Sequence, residues 1–179
     1  MNRTIRHSTT KDIPLILRMF DHSRQIMRNN GNTVQWPIGY PRPDMVEADI
    51  ERNASYIIED NGTPVGTFAL IIGIEPTYQE IQGGQWLNAL PYGTIHRIAC
   101  MPETHGIADC CFEFCDTRIN NLRVDTHERN LILQHILKKH GFQYCCIIHI
   151  ADGTPRMAYQ KTKIDSSCNS DSDTARFKK

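Results

Sequence analysis

The sequence lacks both the excess of one charge and the long apolar runs that would mark several classes of protein. Its 20 Lys and Arg residues balance 20 Asp and Glu residues, so the formal net charge is zero. That balance argues against a nucleic-acid surface, which usually carries a basic excess. No apolar run approaches the length of a membrane span, and the N-terminus lacks the apolar core of a signal peptide. We therefore expect a cytoplasmic protein that binds neither nucleic acid nor membrane.

Cysteine pairs at the spacing of a metal site are also lacking. The chain has seven cysteines, an odd number, and none of them forms the C-x-x-C pairs that zinc sites use. Cys111 and Cys115 lie one helical turn apart, but no second pair completes a ligand set. We expect no metal, and we interpret the cysteines as small buried side chains of a protein in a reducing compartment.

Length and composition indicate one domain of ordinary size. The 179 residues are 40% hydrophobic and 22% charged, which is enough apolar surface for a normal core. Residues 163–179 are polar, rich in Ser and Asp, and without periodicity, a pattern typical of disorder. We expect a domain over residues 1–162, followed by a disordered tail over residues 163–179.

Helical and strand periodicities alternate along the domain in the order β-α-α-β-β-β-α-β-α-β-β. Residues 9–12 form a capping pattern before the first helix, Asp44 is the candidate cap of the second, and Asn61-Gly62 marks a hairpin turn. The order predicts a mixed α/β fold with an antiparallel front and one parallel crossover. The expected strands cover residues 4–7, 56–59, 65–72, 94–100, 122–125, 144–150 and 157–160, and the expected helices cover residues 13–28, 44–53, 109–118 and 131–139.

The stretch from Ile95 to Phe142 carries the most direct indication of chemistry. It is predicted as a strand, a turn at Gly106, a helix, a second strand and a helix that ends at Gly141. Where a strand leads through a glycine turn into a helix, free backbone N–H groups and the helix dipole point toward the same spot. The arrangement favours binding of a phosphate-bearing cofactor.

Three short motifs lie in this stretch in a fixed order. Residues 98–103 read I-A-C-M-P-E, residues 106–108 read G-I-A, and Asn130 is followed eleven residues later by Gly141-Phe142. In this order they resemble three elements of the GNAT family of N-acetyltransferases: the fourth-strand motif L-A-V-x-P-E, the end of the phosphate loop Q/R-x-x-G-x-G/A, and the helix N-x(7)-h-x-x-x-G-F. The resemblance covers residues 4–162.

The resemblance implies a fold, a cofactor and a mechanism. The fold is the acyl-CoA N-acyltransferase fold, a mixed and mostly antiparallel sheet with helices on both faces and splayed central strands. The cofactor is acetyl-CoA, acting as a co-substrate. Its pantetheine arm pairs with the main chain of Ile98 and Cys100 between the splayed strands, its pyrophosphate lies on amides at the helix start, and an amine attacks the thioester directly. The implied cofactor-binding residues are Ile98, Ala99, Cys100, His105, Gly106, Ile107, Ala108, Asp109 and Asn130.

Two positions depart from the family pattern. The loop before Ala108 is two residues shorter than usual, and read without a gap it places Glu103 where the family has Gln or Arg. His105 could supply part of the missing positive charge. Leu137 stands seven residues after Asn130, where many members have a Tyr that protonates the thiolate. These departures keep a second interpretation open, a catalytically weak or inactive GNAT-fold module that binds acyl-CoA or regulates.

Three side chains are candidates for the proton transfers of an acetyltransferase. His96 on the predicted fourth strand is a candidate base if it faces the cleft, and otherwise a histidine hydrogen-bonded on the other face. Strand alternation turns Arg97 to the face opposite His96. Asp125, at the end of the fifth strand, either serves the acceptor cleft or, with Thr126, caps the next helix. Glu75 follows the third strand and could act through a water molecule.

Four further residues carry two interpretations each. Cys100 could form an acyl-cysteine, although buried thiols are usually inert, and Asn130 either binds the cofactor arm or only caps its helix. Trp36 and Trp86 either wall the acceptor pocket or pack their loops. The acceptor implied by the resemblance is a primary amine of a small molecule or peptide, and the sequence leaves monomer and homodimer as alternatives.

Overall fold

Residues 3–163 of the chain are described by the computed structural model, and eight strands and four α-helices account for most of them. The strands are β1 (Arg3–His7), β2 (Ser55–Asp60), β3 (Thr63–Ile72), β4 (Ile81–Gln82), β5 (Gly93–Cys100), β6 (Asn121–Thr126), β7 (Gln143–His149) and β8 (Pro155–Thr162). The helices are α1 (Ile13–Asn29), α2 (Pro43–Glu51), α3 (Ile107–Asp116) and α4 (Leu131–Lys139), with short 3-10 turns at Thr10–Asp12 and Pro76–Tyr78.

The strands form one open sheet in the order β1-β2-β3-β5-β6-β8-β7-β4. Only the β5–β6 pair is parallel among the pairs of the described sheet, and α3 makes the crossover between them. The parallel pair follows from the crossover, because a strand that returns over one face of a sheet runs in the same direction as the strand it left. The predicted mixed, mostly antiparallel α/β fold is therefore confirmed.

Local sequence signals explain where several elements begin. The Asp12 carboxylate accepts a hydrogen bond of 2.8 Å from the Thr9 N–H, as the capping pattern predicts. Asn61 and Gly62 both have positive φ, 50° and 80°, the conformation that a two-residue hairpin turn between β2 and β3 requires. Gly141 follows α4 with φ at 81° and satisfies the predicted helix end.

Two helix starts differ from the prediction, and one short strand was not predicted. Helix α3 begins at Ile107 rather than near Asp109, because Gly106 adopts a left-handed φ of 71° as its N-cap and lets the helix start at once. Helix α2 begins at Pro43, a favoured first position, so Asp44 lies in its first turn instead of capping it. The connection between β3 and β5 contains the short strand β4, which pairs with β7.

The sheet opens at its centre between β5 and β6. Their parallel pairing covers only Gly93 with Leu122 and Thr94 with Arg123, although β5 continues to Cys100. A bulge helps to turn β5 away: two residues, Arg97 and Ile98, stand opposite Phe68 of β3, and Arg97 has a left-handed φ of 55°. The splayed central strands implied by the family resemblance are present.

Two apolar clusters cover opposite faces of the sheet around this opening. Phe112 of α3, Leu137 of α4 and Leu122 of β6 are fully buried in one cluster. Phe20 of α1 and Val46 of α2 are buried in the other. Helices therefore lie on both faces, as the resemblance implies.

The cysteines largely follow the prediction of small buried side chains. Cys111, Cys115, Cys145 and Cys146 are buried, and Cys100 and Cys110 are half-buried. Cys168 and the rest of the predicted tail from residue 164 onward lie outside the described residues. Within residues 3–163, no helix has the length and apolar character needed to cross a membrane.

Candidate active site

A cavity of about 990 Å³ fills the opening between β5 and β6. Its walls come from β5, β6, the segment between α1 and α2, the start of α3 and the start of α4. All the residues predicted for the site line this one cavity: Glu75, His96, Ile98, Ala99, Cys100, His105, Gly106, Ile107, Ala108, Asp109, Asp125 and Asn130. The sequence motifs and the candidate proton-transfer residues therefore meet at one place.

The N-terminus of α3 forms one end of the cavity. Gly106 caps the helix, and the following residues expose the first-turn amides that could bind an anion. Arg3 of β1 supports this turn, because its guanidinium donates to the carbonyl of Gly106 over 3.0 Å and to the carbonyl of His105. Arg3 thus brings a positive charge to a loop that lacks the usual Gln or Arg. Sequence reasoning missed it, since it lies about 100 residues away.

Asp109 in the first turn of α3 does not leave a free negative charge beside these amides. Its Oδ1 contacts Lys139 Nζ at 2.7 Å and His140 Nε2 at 2.6 Å, both from the end of α4. The hydrogen bond from Lys139, together with that from His140, lowers the pKa of Asp109. The ionised carboxylate is therefore paired with the Lys139 ammonium and hydrogen-bonded to His140, which reduces its repulsion of a phosphate group.

The β5 main chain faces the opening beyond Thr94. The Cys100 N–H already donates to the Ser23 hydroxyl over 3.2 Å, so a cofactor arm that paired with this amide would have to displace Ser23. Burial raises the pKa of the Cys100 thiol. A thiol held neutral is a poor nucleophile, which favours direct attack over an acyl-cysteine.

Asn130 caps α4 through its side-chain oxygen, which accepts a hydrogen bond of 3.2 Å from the Leu133 N–H. The capping role is thus present, and it is Asn130 rather than the predicted Asp125-Thr126 that fills it. The Asn130 amide also donates to Gln35 Oε1 over 3.0 Å, and the same oxygen accepts from the Thr126 hydroxyl over 3.3 Å. Gln35 therefore ties the segment before α2 to β6 and α4, a link that no sequence pattern indicated.

His96 faces the cavity between two carboxylates. Its Nε2 lies 3.3 Å from Glu75 Oε2, and its Nδ1 lies 3.9 Å from Asp125 Oδ1. The Tyr78 hydroxyl donates to the same Asp125 oxygen over 2.8 Å. Of the two alternatives for His96, the orientation toward the cleft is the one observed.

Electrostatics within the His96 triplet, which consists of His96, Glu75 and Asp125, fix the orientation of the imidazole ring. The hydrogen bond to His96 is the main cause that lowers the pKa of Glu75, and a bond from Thr77 adds to it. Burial, reinforced by the charge of Asp125, raises the pKa of Tyr78 well above its usual value. An ionised Glu75 and a neutral Tyr78 then act as acceptor and donor, and they orient the imidazole and Asp125 without giving up protons themselves.

The prediction that Arg97 faces away from His96 was wrong. The bulge in β5 interrupts the alternation, and both side chains line the cavity on the face covered by α1 and α2. Arg97 Nη2 forms a buried ion pair of 2.5 Å with Asp49 of α2. The ion pair anchors α2 to the bulge of β5. The β5 residues on either side of Arg97 also line the cavity.

The cavity is also lined by three side chains that sequence reasoning did not single out, Gln35, Tyr40 and Arg156. Trp36 also lines the cavity, whereas Trp86 packs elsewhere, stacked over the guanidinium of Arg123 at 3.9 Å. These residues come from the loop before α2 and from β8, which no motif connects. Within residues 3–163, no group of three His, Cys, Asp or Glu side chains is placed to hold a metal ion.

Comparison with known proteins places this geometry in a family. No protein-family model and no curated protein matches the chain. Among solved structures, a GNAT-family acetyltransferase from Streptococcus agalactiae is 32% identical over 90% of this chain and 95% of its own, with a TM-score of 0.81. One from Listeria monocytogenes is 18% identical with a TM-score of 0.66, covering 90% of this chain and 95% of its own.

More distant structures share the fold. N-acetylglutamate synthase from Neisseria gonorrhoeae, solved with coenzyme A and N-acetyl-glutamate, is 15% identical with a TM-score of 0.59, and the match covers 90% of this chain and 35% of that one. The identity of 32% to the Streptococcus agalactiae protein, over nearly the whole of both chains, exceeds what fold similarity alone requires. The chain therefore belongs to the GNAT family of acetyltransferases.

Proposed function

We propose that the protein transfers the acetyl group of acetyl-CoA to a primary amine of a small molecule or peptide, within a complex that holds both substrates. The observation that carries the proposal is a single cavity with two chemically different ends. The exposed N-terminus of α3 lies at one end and the His96 triplet lies at the other, with the open edge of β5 between them. An anionic, extended acyl donor and an amine can meet there.

The chain's own residues fit the donor. The amides at the start of α3 suit a pyrophosphate, and the unpaired edge of β5 suits the amide groups of a pantetheine arm. Glu103, which stands where the family has Gln or Arg, is exposed and does not line the cavity. The anion site therefore does not face an opposing carboxylate at the position where the family has Gln or Arg.

The His96 triplet can carry the proton transfer. The amine nitrogen attacks the thioester carbonyl, a C–N bond forms, the C–S bond breaks, and the amine proton passes to His96 directly or through one water molecule. Glu75 and Asp125 stabilise the positive charge that the ring acquires. The thiolate then takes a proton from water, because Leu137, at the position of the family tyrosine, is fully buried in the core.

Leu137 is also the observation that favours a second candidate function, a module that binds acyl-CoA without turnover. A fully buried aliphatic side chain cannot protonate a thiolate. In this alternative the cavity retains the cofactor site, and the His96 triplet is a structural hydrogen-bonded cluster.

Binding and turnover measured separately distinguish the two candidates. Acetyl-CoA should raise the melting temperature, and release of free thiol should depend on an added primary amine. Ala108→Asp, which adds a negative charge in the first turn of α3, should abolish the stabilisation. The exposed Asn120→Asp adds the same charge away from the cavity and serves as its control. Stabilisation without thiol release from any amine would favour the binding module, and no stabilisation would exclude both.

A further inference from the structure

Arg156 of β8 is a buried arginine at the acceptor end of the cavity. Its side chain is 5% exposed, yet the residue lines the cavity. Burial of a guanidinium is costly unless a carboxylate and hydrogen-bond acceptors compensate for the lost water. The partners of Arg156 therefore decide whether the side chain is structurally satisfied.

Within residues 3–163, Arg156 has no carboxylate at hydrogen-bond distance. Asp125 Oδ2 lies 3.9 Å from its Nε, and its recorded hydrogen bonds are to the carbonyls of Pro155 at 3.2 Å and Gln35 at 3.4 Å. Arg97, which lines the same cavity, has the Asp49 carboxylate at 2.5 Å. Arg97 is thus ion-paired at close range, although its Nε is buried without a partner, and Arg156 has donors left over beyond its two bonds to carbonyls.

The charge around Arg156 is arranged along a short line. Asp125 lies between His96 and Arg156, with Oδ1 at 3.9 Å from His96 Nδ1 and Oδ2 at 3.9 Å from Arg156 Nε. Glu75 lies on the far side of His96. Carboxylates thus surround the ring that would receive the proton, and a guanidinium lies on the other side of Asp125. A molecule that carries both an amine and a carboxylate matches this order of groups.

Other charged groups near Arg156 are already engaged. Asp152 in the turn between β7 and β8 accepts from the Thr154 N–H over 2.8 Å. Burial lowers the pKa of Arg156, while the charges of Asp125 and Asp152 oppose that shift. Arginine stays protonated at any ordinary pH, so the cavity presents a permanent cation with donor positions to spare.

We infer that the acceptor is an α-amino acid, or another amine that carries a carboxylate beside the amine, and that Arg156 binds this carboxylate through its guanidinium. The inference rests on the proposed function and names its substrate class. The planar guanidinium forms two parallel hydrogen bonds with a carboxylate, and Gln35 and Tyr40 line the cavity beside it. Arg156 determines specificity by positioning the acceptor, and His96 remains the residue that receives the proton.

The test compares each acceptor with a matched analogue that lacks only the carboxylate charge. Standard L-amino acids and their carboxamides are titrated calorimetrically into the protein, with and without CoA, so that no turnover is required. We expect at least one amino acid to bind roughly 10-fold to 100-fold more tightly than its amide, the ratio expected for a hydrogen-bonded charge pair. Equal binding of acid and amide, or binding of neither, would overturn the inference.

Variants of Arg156 supply the second comparison. Arg156→Gln should remove the preference for the acid while leaving binding of acetyl-CoA and of the amide unchanged, and Arg156→Lys should restore part of it. The exposed Arg18→Gln, which lies outside the cavity, is the matched control. If Arg156→Gln fails to fold, the comparison of acid and amide on the unaltered protein still decides the inference.

Turnover separates a failure of the inference from a failure of the proposed function. Amine-dependent thiol release with equal kcat/KM for acids and amides would keep the acetyltransferase and remove the carboxylate site. Selective binding of amino acids without thiol release would keep the carboxylate site and remove the acetyltransferase. In an active enzyme, Arg156→Gln should raise KM for the acid far more than it lowers kcat.

Discussion

At the scale of single residues, the proposed proton transfer depends on the imidazole of His96 and the two carboxylates beside it. Glu75 and Asp125 come from the segments after β3 and at the end of β6, so three separate parts of the chain meet at one ring. Such clusters of coupled titratable groups in a cleft are characteristic of functional sites. Their roles can be separated because each carboxylate contacts a different atom of the ring.

His96→Gln tests the base. The amide keeps a polar group of similar size but cannot accept the amine proton, so kcat at neutral pH should fall by about 100-fold or more. The affinity for acetyl-CoA should stay unchanged, because the α3 end of the cavity is untouched. Steady-state kinetics and calorimetry measure the two effects, with the exposed His135→Gln as the control. An unchanged kcat would remove His96 from the mechanism.

Glu75→Gln tests the carboxylate through stability. The pKa of Glu75 is lowered in the folded state mainly by the hydrogen bond to His96, so its ionised form stabilises the fold above the ordinary carboxyl pKa. The variant should lose about 1 kcal/mol of unfolding free energy at pH 7. This loss of unfolding free energy should become smaller as the pH falls below 4.5, the ordinary pKa of a glutamate side chain. It should become smaller still as the pH falls through the lowered pKa of Glu75 in the folded protein. Urea denaturation across this pH range measures the deficit, and a deficit that stays constant with pH would contradict the hydrogen bond between ionised Glu75 and His96.

Single residues also show what a sequence can and cannot predict. His96, Glu75 and Asp125 were named because histidine and carboxylates at strand ends suggest proton transfer, and all three line the cavity. Arg3 and Gln35 were missed because their roles depend on contacts about 100 and 95 residues away. Neither sits in a pattern of its own, so only the folded chain reveals them.

At the scale of elements, the approach of α3 to β3 sets the position of the anion site. Gly66 of β3 lies directly beneath Ile107, the first residue of α3. A methyl group on Gly66 would lie 2.7 Å from Ile107 Cδ1 and 2.8 Å from its Cγ2. The lack of a side chain at residue 66 therefore lets the helix start close to the sheet.

Gly66→Ala should move the start of α3. We expect a loss of about 1–3 kcal/mol in stability, the usual cost of overpacking, together with weaker binding of acetyl-CoA. Thermal denaturation and calorimetry measure the two effects. Adding Ile107→Ala removes the clashing atoms, so the double variant should be about as stable as Ile107→Ala alone. Simple additivity of the two losses would show that the contact is not the cause.

The elements themselves were largely predictable, and one irregularity was not. The order of elements was predicted well from the helix and strand periods, the Asn61-Gly62 turn and the helix end at Gly141. The bulge at Arg97 was not foreseen, because strand alternation assumes regular pairing and an arginine gives no signal for a left-handed φ. That one residue decides which side chains face the cavity.

At the scale of the whole molecule, Gln35 connects the two ends of the cavity. Its side-chain oxygen accepts from Asn130 of α4 at 3.0 Å and from the His127 N–H at 3.3 Å, and its carbonyl accepts from Arg156 at 3.4 Å. The segment before α2, helix α4 and strand β8 therefore share one residue. Contacts between such distant segments cannot be inferred from local sequence, which is why Gln35, Tyr40 and Arg156 were not named individually.

Gln35→Ala should affect both substrates at once. The buried donors that lose their acceptor should cost about 1–3 kcal/mol of stability, and KM should rise for acetyl-CoA and for the amine together. Thermal denaturation and two-substrate kinetics measure these effects. Gln143→Ala removes an exposed amide of β7 that does not line the cavity and gives the stability control. A rise confined to one substrate would contradict the shared role.

The short pairing of β5 with β6 has a consequence for isotope exchange. Beyond Thr94, the N–H groups on the edge of β5 that faces β6 have no strand partner. They should therefore exchange with deuterium faster than the N–H groups of β2, which is paired on both edges. A bound CoA should slow exchange in the peptide covering residues 95–101 and leave residues 55–60 unchanged. Deuterium uptake followed by mass spectrometry thus reports occupancy of the gap directly, without any need for turnover.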